Sequence, residues 1–256
     1  MSKLTIVLTN DDGIMAPGLE ILERRLQTIA EVTVIAPVEQ MSAVSHSLTL
    51  TKPLRVDFVS ANKYAVYGTP ADCIAFAVRE LLPDIPALVV SGINNGPNLG
   101  EDVIYSGTVA GAREGALYGI TSLAISLANE KRITILPEDY DKASNIALNV
   151  IKSILKNNFL YKDVFLNLNV PVLKDREIKG LKVTHLASRK YLGKFIPDKE
   201  EGISKYYWVS GDEPPVWEGS EHSDYYAIKN GFASLTPLGL EATAYNRMKE
   251  FEILEY

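Results

Sequence analysis

Residues 4–13 read LTIVLTNDDG, a run of six apolar or β-branched residues followed at once by four residues typical of turns. An uninterrupted run of this kind predicts a strand buried on both faces, as in a parallel sheet covered by helices. Apolar residues at helical spacing come next, beginning after Pro17, and residues 32–36 (VTVIA) form a second run of the buried-strand type. This order predicts that the fold opens with a β-α-β unit.

The same alternation continues along most of the chain. Further strands are expected at residues 87–91, 122–126 and 165–170, and further helices at residues 71–81, 109–118 and 142–156. Residues 47–59 (SLTLTKPLRVDFV) alternate with period two, which predicts a hairpin. The predicted fold class is therefore α/β, with a Rossmann-like, mostly parallel sheet that carries helices on both faces.

From about residue 173 onward the sequence becomes more polar and more aromatic, with short strands expected at 181–186 and 232–236. The aromatic residues of this part are Tyr191, Phe195, Tyr206, Tyr207, Trp208, Trp217, Tyr225 and Tyr226. We expect an α/β catalytic core over residues 1–172 and a β-rich C-terminal extension over residues 173–256. The extension is expected to serve as an oligomerisation arm and to return in part to the core. An aromatic core within one continuous domain is an equally good interpretation.

The composition excludes several classes of protein. The chain has 256 residues, 46% of them hydrophobic, a net charge of −6 and an isoelectric point near 5.2. Nucleic-acid polymers are bound by basic faces, so we expect no binding to them. The single cysteine, Cys73, excludes a disulfide scaffold, and the longest apolar runs fall short of the roughly 20 residues that span a bilayer. Since no signal-peptide pattern is present, we expect a cytoplasmic protein with no membrane partner.

Polar loops follow three of the predicted strands. Residues 10–13 (NDDG) follow the first, a loop with Gln40, Ser42, Ser45 and His46 follows the second, and residues 92–102 follow the third. Ligands of open α/β sheets bind beyond the carboxyl ends of the strands. We therefore expect these three loops to form one crevice.

Asp11 and Asp12 are the most informative residues of this crevice. Two adjacent carboxylates repel each other unless a cation neutralises them or one of them takes up a proton. The neighbouring donors are oxygens, which favours a hard divalent cation such as Mg²⁺ or Mn²⁺ over zinc. The structural alternative is that Asp11 caps a turn and that Asp12 is a solvated neighbour.

The third loop contains Gly92, Gly96 and Gly100, and the sequence Ser106-Gly107-Thr108 precedes a predicted helix. Glycines allow backbone N–H groups to approach an anion, and a helix N-terminus favours negative charge, so a phosphate site is one interpretation. Tight turns are the alternative, because the loop matches neither a P-loop nor a dinucleotide fingerprint. His46 is a candidate general acid or phosphate contact, and a structural role for it fits equally well.

These residues resemble the SurE family (survival protein E). The stretch Thr9-Asn10-Asp11-Asp12-Gly13-Ile14 is similar to the family's opening motif, and the long block over residues 91–116 is highly specific. Further matches follow in the order of the family, at residues 36–37 with Ser42, 46–49, 68–73, 168–171 and 231–238. The resemblance extends over nearly the whole chain.

The resemblance implies a metal-dependent 5′/3′-nucleotidase with a Rossmann-like sheet and a dimer-forming C-terminal extension. Its substrates would be nucleoside 5′- and 3′-monophosphates, and some members of the family also hydrolyse short polyphosphate. The residues that match the family's ligands for one divalent cation are Asp11, Asp12, Ser42 and Asn94. The residues that fall where the family contacts phosphate are Asn98, Ser106, Gly107 and Thr108. A homodimer or homotetramer is the expected assembly.

We expect direct roles in the reaction for Asp11, Asp12, Asn98 and Ser106. Water activated by the metal is the preferred nucleophile, because a carboxylate that already coordinates a cation attacks poorly. Two alternatives belong to other classes. One is a Ca²⁺-dependent N-ribosyl hydrolase acting on nucleosides, and the other is a nucleotide-binding module without catalysis.

Two residues depart from the family pattern. Met15 stands where many relatives carry a histidine or another polar residue, and Ala43 stands where glycine is common after the serine. Neither residue is a metal ligand. We expect Met15 to affect the rim of the pocket, and hence the preference for a base, and Ala43 to restrict its loop.

Overall fold

The computed structural model describes residues 4–129, 133–159, 163–190, 194–210 and 216–254. The strands are β1 (Thr5–Thr9), β2 (Glu31–Pro37), β3 (Val56–Ser60), β4 (Lys63–Val66), β5 (Leu88–Asn94), β6 (Ser122–Ala128), β7 (Val164–Pro171), β8 (Leu181–Val183), β9 (Ser188–Lys190), β10 (Lys194–Glu201), β11 (Ser204–Ser210), β12 (Val216–Glu218) and β13 (Ala233–Gly239). The helices are α1 (Pro17–Leu26), α2 (Pro70–Phe76), α3 (Gly107–Leu117), α4 (Pro137–Asn157), α5 (Asp224–Lys229) and α6 (Met248–Phe251). A π-helical turn, Ala77–Leu81, continues α2, and short 3-10 helices lie at Gly100–Ile104, Tyr245–Arg247 and Glu252–Leu254.

Nine of the described strands form one sheet, in the order β3-β4-β2-β1-β5-β6-β7-β13-β8. All neighbouring pairs from β4 to β7 are parallel, whereas β3 is antiparallel to β4 and β13 is antiparallel to β7. The predicted mostly parallel α/β sheet is therefore confirmed. Because β1, β2, β5 and β6 run in one direction, their carboxyl ends meet at a single edge of the sheet.

Helices cover both faces of the sheet, which explains the uninterrupted apolar runs of the central strands. In β1, Ile6 and Leu8 pack with α1 and α4 on one face, and Val7 packs with α2 on the other. Helix α3 lies on the same face as α2, where Val109 and Ala112 pack against Phe165 of β7. Side chains of neighbouring positions are thus buried on opposite sides of the same strand.

The hairpin predicted over residues 47–59 is wrong in its position. Residues 47–55 form no strand, and the hairpin is built from β3 and β4 instead. Pro53 lacks the N–H that a strand pair requires, while Asn62 adopts a left-handed conformation with φ of 59° in the two-residue turn. The turn chemistry of Asn62 thus places the hairpin later than the alternating pattern indicated.

The part of the chain after residue 173 contributes to the main sheet through β8 and β13. It also contains a separate hairpin of β10 and β11, on which Phe195, Tyr207 and Trp208 are exposed. Trp217, by contrast, stacks on Tyr225 with ring centroids 4.5 Å apart. Tyr191, the first of the aromatic residues singled out in the sequence, lies outside the described residues. The division into two domains near residue 172 stays a prediction.

Candidate active site

The loops after β1, β2 and β5 meet at the carboxyl edge of the sheet, as the sequence predicts, and enclose a cavity of about 470 Å³ that we call the site cavity. Six of the predicted site residues line it together: Asp11, Asp12, Ser42, Asn94, Asn98 and Ser106. Gln40, Ala43, Asn95, Pro97, Asp102 and Tyr105 complete its wall. Residues that are far apart in the sequence are therefore brought to one place by the parallel sheet.

The two adjacent aspartates lie in a setting that disfavours their negative charge. Asp11 is only 5% exposed and accepts a hydrogen bond from the Thr108 hydroxyl, and Asp12 accepts one from the Asn95 N–H at 2.9 Å. Burial, together with the nearby charge of Asp12, raises the pKa of Asp11 to about 6, although the Thr108 bond opposes the change. Burial also raises the pKa of Asp12. A bound cation would relieve this penalty.

The donor set fits a hard divalent cation. Asn94 donates from Nδ2 to the Gly96 carbonyl at 2.9 Å, which leaves its Oδ1 as the end available to a metal, and Ser42 supplies a hydroxyl oxygen. Within the described residues no group of three or more His, Cys, Asp or Glu side chains is arranged to hold a metal. The candidate centre is therefore two carboxylates completed by neutral oxygen donors, which suits Mg²⁺ or Mn²⁺ and not a structural zinc.

The charge of the site cavity has a consequence for anionic ligands. Asp11, Asp12 and Asp102 line it, of which Asp102 is paired with Arg189, and none of the described residues in its wall is Lys, Arg or His. A phosphate dianion placed there meets like charges unless a cation lies between them. The geometry thus favours anion binding that depends on a metal.

Helix α3 begins at this wall and brings its N-terminus to Asp11. Ser106 is the N-cap, and its Oγ accepts a hydrogen bond from the Val109 N–H at 3.0 Å. Gly107 is required by the close approach, because a Cβ at this position would lie 2.9 Å from Asp11 Cβ and 3.0 Å from the Met41 carbonyl oxygen. The unpaired N–H groups of a first helical turn favour an anion, such as a carboxylate or a phosphate.

Asn98 is held by a buried network that the sequence interpretation missed. Its N–H donates to Asn169 Oδ1 at 2.9 Å, and its carbonyl accepts from Asn167 Nδ2 at 2.8 Å and from Asn169 Nδ2 at 3.0 Å. Its side-chain Nδ2 donates to Ser126 Oγ at 2.7 Å. Strands β6 and β7 therefore fix both the backbone and the amide of Asn98. The sign in the sequence was polar residues within the strand run FLNLNV, at positions where a buried strand is usually apolar.

Asn169→Ala is expected to lower both activity and stability. The change removes one hydrogen bond to the N–H of Asn98 and one to its carbonyl, which should cost about 1–3 kcal/mol of unfolding free energy. Because Asn98 is then displaced, we expect kcat/KM for phosphate release to fall by roughly 10- to 100-fold. Urea unfolding and a phosphate-release assay measure the two effects. The control is Asn157→Ala, since Asn157 donates a hydrogen bond to the Ser153 carbonyl of its own helix on an exposed surface. Unchanged kcat/KM in Asn169→Ala would contradict a positioning role for this residue.

Three predicted phosphate contacts do not line the site cavity. Thr108 is fully buried beside Asp11, and Gly107 lies behind the same carboxylate. His46 points elsewhere: its Nε2 lies 2.7 Å from Glu114 Oε2, on the side of α3 that faces the loop after β2. This contact favours the structural interpretation of His46 given above.

The C-terminal part of the chain supports the third loop. Asp224, fully buried at the start of α5, accepts hydrogen bonds from the Gly100 N–H at 2.9 Å and from the Ala187 N–H at 2.8 Å. Arg189 forms an ion pair with Asp102, which lines the site cavity. The sequence carried no recognisable sign of the contacts to the third loop, because Asp224 is 124 positions from Gly100 and Arg189 is 87 positions from Asp102.

Ala43 occupies a backbone conformation that favours glycine, with φ of 55°. We expect Ala43→Gly to raise the unfolding free energy by about 0.5 kcal/mol, because the relief of a left-handed alanine exceeds the extra entropy of glycine in the unfolded chain. Urea unfolding measures the change. Ala61 does not have a positive φ, so Ala61→Gly should have the opposite sign. A destabilised Ala43→Gly variant would contradict the assigned strain.

Met15, the other residue that departs from the family pattern, is 83% exposed and lies outside the wall of the site cavity.

Comparison with known proteins gives a consistent result. Residues 6–193 match the family described as Survival protein SurE. A protein of Pelobacter propionicus named 5′-nucleotidase SurE is 45% identical over 95% of this chain and 96% of its own length, and one of Aquifex aeolicus with the same name is 40% identical over 98% of both. The crystal structure of the SurE protein from Aquifex aeolicus has a TM-score of 0.83 at 39% identity and covers 98% of this chain and 100% of its own. The chain therefore belongs to the SurE family.

Proposed function

We propose that this protein is a 5′-nucleotidase, a phosphatase that hydrolyses nucleoside monophosphates to nucleoside and phosphate. The relatives named 5′-nucleotidase, at 40–45% identity over nearly the full length, support the reaction class. The observation that carries the proposal is the site cavity itself, in which two adjacent buried aspartates face Asn98 and Ser106 at the N-terminus of a helix. Activity on 3′-monophosphates and on short polyphosphate is part of the proposal as further substrates.

The proposal includes one divalent cation, Mg²⁺ or Mn²⁺, held by Asp11, Asp12, Ser42 and Asn94. When bound, such a cation supplies positive charge to the phosphate oxygens and makes water a stronger acid. The raised pKa values of both aspartates and the absence of a basic side chain among the described residues of the cavity wall support this dependence.

The chain's own residues bind and orient the phosphoryl group. Ser106 accepts the Val109 N–H through its oxygen, so its hydroxyl proton is available to a phosphate oxygen. Asn98 is fixed by Ser126 and by two asparagines of β7, which holds its amide in place without reorganisation during the reaction. These donors stabilise the charge on the transferring group, and water is the attacking group that we propose.

The test is a panel of 5′- and 3′-nucleoside monophosphates and tripolyphosphate, each incubated with Mg²⁺, Mn²⁺ or EDTA. Free phosphate and free base are both measured. The proposal expects phosphate and intact nucleoside, with the metals required. Release of free base instead would indicate an N-ribosyl hydrolase, and tight nucleotide binding without turnover under any metal would indicate a binding module.

We also propose that the chain assembles as a homodimer or homotetramer through its C-terminal extension. The hairpin of β10 and β11 exposes large apolar side chains, and a two-stranded hairpin with no further partner is only marginally stable in water. Sedimentation at micromolar concentration should show a species of two or four chains, and a monomer of 28.2 kDa would contradict the proposal.

No helix within the described residues is long and apolar enough to cross a bilayer. The cytoplasmic location stays a prediction.

A further inference from the structure

Ser42 belongs to a loop, residues 41–46, that forms neither a helix nor a strand and that we call the Ser42 loop. Ser42 itself is exposed and lines the site cavity. Ala43 and Ser45 adopt left-handed conformations with φ of 55° and 54°. Residues other than glycine keep such a conformation only where the surrounding contacts enforce it. The position of Ser42 therefore depends on the contacts that hold the loop.

Two backbone hydrogen bonds connect the Ser42 loop to other parts of the site. The Met41 N–H donates to the Asp11 carbonyl at 2.7 Å, and the Ser45 N–H donates to the Tyr105 carbonyl at 2.9 Å. Tyr105 directly precedes Ser106, the N-cap of α3. The loop is thus joined to the end of β1 and to the start of α3.

The end of the Ser42 loop is held by a contact between two side chains. His46 Nε2 lies 2.7 Å from Glu114 Oε2, and the side chains of His46 and Glu114 are 20% and 8% exposed. Because an ionised carboxylate only accepts hydrogen bonds, His46 donates from Nε2. Glu114 is the one charged residue that is buried in α3, a helix whose residues are all described. A carboxylate at this depth is unfavourable unless it is hydrogen-bonded, so each residue fixes the other.

One face of α3 contacts both ends of the Ser42 loop. Gly107 and Glu114 lie on the same face, because they are separated by about two helical turns. A Cβ at Gly107 would lie 3.0 Å from the Met41 carbonyl oxygen, and Glu114 contacts His46. A loop that lost the second of these contacts would be free to move relative to the start of α3, where Ser106 lines the site cavity.

We propose that Glu114 and His46 are positioning residues, which hold the Ser42 loop against α3 and so place the Ser42 hydroxyl at the candidate cation site. Neither residue lines the site cavity, so neither acts on the substrate directly. The role assigned to the pair rests on the proposed function, in which Ser42 is a ligand of the cation. Side chains that orient a metal ligand from behind raise the affinity of the site for the metal.

The first test needs neither metal nor substrate. Amide hydrogen exchange is measured in the metal-free parent and in Glu114→Ala and His46→Ala, which break the same contact from opposite sides. In both variants we expect the Ser45 amide to exchange at least about 10-fold faster. The Thr49 amide, which donates to Asp72 Oδ1 at 2.8 Å, is the internal reference and should stay within about threefold of the parent. Parent-like exchange of the Ser45 amide in both variants would overturn the proposal.

The second test is the dissociation constant of Mn²⁺, measured by calorimetry without substrate. In Glu114→Ala and in His46→Ala we expect this constant to rise roughly 10-fold. Glu114→Gln should stay within about threefold of the parent, because the amide oxygen of glutamine can accept the His46 N–H. The double variant Glu114→Ala/His46→Ala should match the weaker single variant within about twofold, because both residues act through one contact. Additive effects of the two changes would overturn the proposal.

The matched control is Glu23→Ala. Glu23 Oε2 lies 3.0 Å from Lys63 Nζ, both side chains are about one-fifth exposed, and neither residue lines the site cavity. This variant should leave the Ser45 amide and the affinity for Mn²⁺ unchanged. An equal loss of affinity in Glu23→Ala and Glu114→Ala would indicate a general loss of stability and overturn the proposal.

The two tests also separate the role of the pair from the proposed function. A parent that binds Mn²⁺ but releases no phosphate would refute the proposed function, and hydrogen exchange and Mn²⁺ affinity would still decide on Glu114 and His46. A parent that binds no Mn²⁺ would overturn the role of the pair, whether or not it releases phosphate.

Discussion

Asp11→Asn is expected to remove nearly all phosphate release and, at the same time, to stabilise the metal-free protein at neutral pH. Loss of one of the two carboxylates halves the negative charge that holds the cation, and we expect kcat/KM to fall by roughly 1000-fold, which corresponds to about 4 kcal/mol. The fold should tolerate the change, because the amide Oδ1 of asparagine can accept the Thr108 hydroxyl as Asp11 does.

The gain in stability follows from the pKa of Asp11, which is about 6 in the fold and 3.8 for an aspartate side chain in water. A raised carboxylate pKa stabilises the fold below pH 3.8, and this contribution is lost as the pH rises through about 6. Two pKa units correspond to about 3 kcal/mol, so the variant should exceed the parent by up to that amount above pH 7 and match it near pH 4.

Urea unfolding in EDTA at several pH values measures this difference. Asp57→Asn is the control, because Asp57 is an exposed partner of Arg55 and does not line the site cavity, and it should change neither activity nor the sign of the pH dependence of stability. A variant that is less stable than the parent at pH 8 would show that the buried charge of Asp11 carries no penalty.

Gly107→Ala should disable the site through the position of Asp11. A Cβ at residue 107 would lie 2.9 Å from Asp11 Cβ, 3.0 Å from Asp11 Oδ2 and 3.0 Å from the Met41 carbonyl oxygen. Two of these three contacts involve Cβ or backbone atoms, which cannot rotate away, so the carboxylate and the start of α3 must separate. We expect kcat/KM to fall by about 100-fold and the unfolding free energy to fall by about 1–3 kcal/mol.

The matched control is Gly239→Ala at the end of β13, where a new Cβ meets no atom of the described residues within 4 Å and φ is not in the left-handed range. Phosphate release and urea unfolding of both variants separate the effect of close packing from that of adding a methyl group. Parent-like activity in Gly107→Ala would mean that the contact between α3 and Asp11 is not needed for the reaction.

The core of the fold could be predicted because short uninterrupted apolar runs alternate with segments of helical spacing. The run LTIVLT is buried on both faces by helices, and only a strand in the middle of a parallel sheet has that environment. The position of the site could be predicted as well, because the residues after the parallel strands β1, β2 and β5 must meet at the carboxyl edge of the sheet. Local pattern and global fold agree there.

The rest depends on contacts that no local pattern encodes. Asn167 and Asn169 hold Asn98 from about 70 positions away, and Asp224 holds Gly100 from 124 positions away. The hairpin of β3 and β4 was misplaced because the left-handed Asn62 overrides the alternation that precedes it. His46 is a candidate by its residue type and by its place in the loop after the second predicted strand, and only the fold shows its contact with Glu114.

We expect this site to bind an anionic substrate only through a cation, because, among the described residues, its wall carries the unpaired neighbours Asp11 and Asp12 and no basic side chain. The most direct test is a calorimetric titration of inorganic phosphate into the metal-free protein, with and without Mn²⁺. We expect no measurable binding without the metal, clear binding with it, and loss of that binding in Asp11→Asn. Equal affinity for phosphate in the presence and absence of Mn²⁺ would contradict the account.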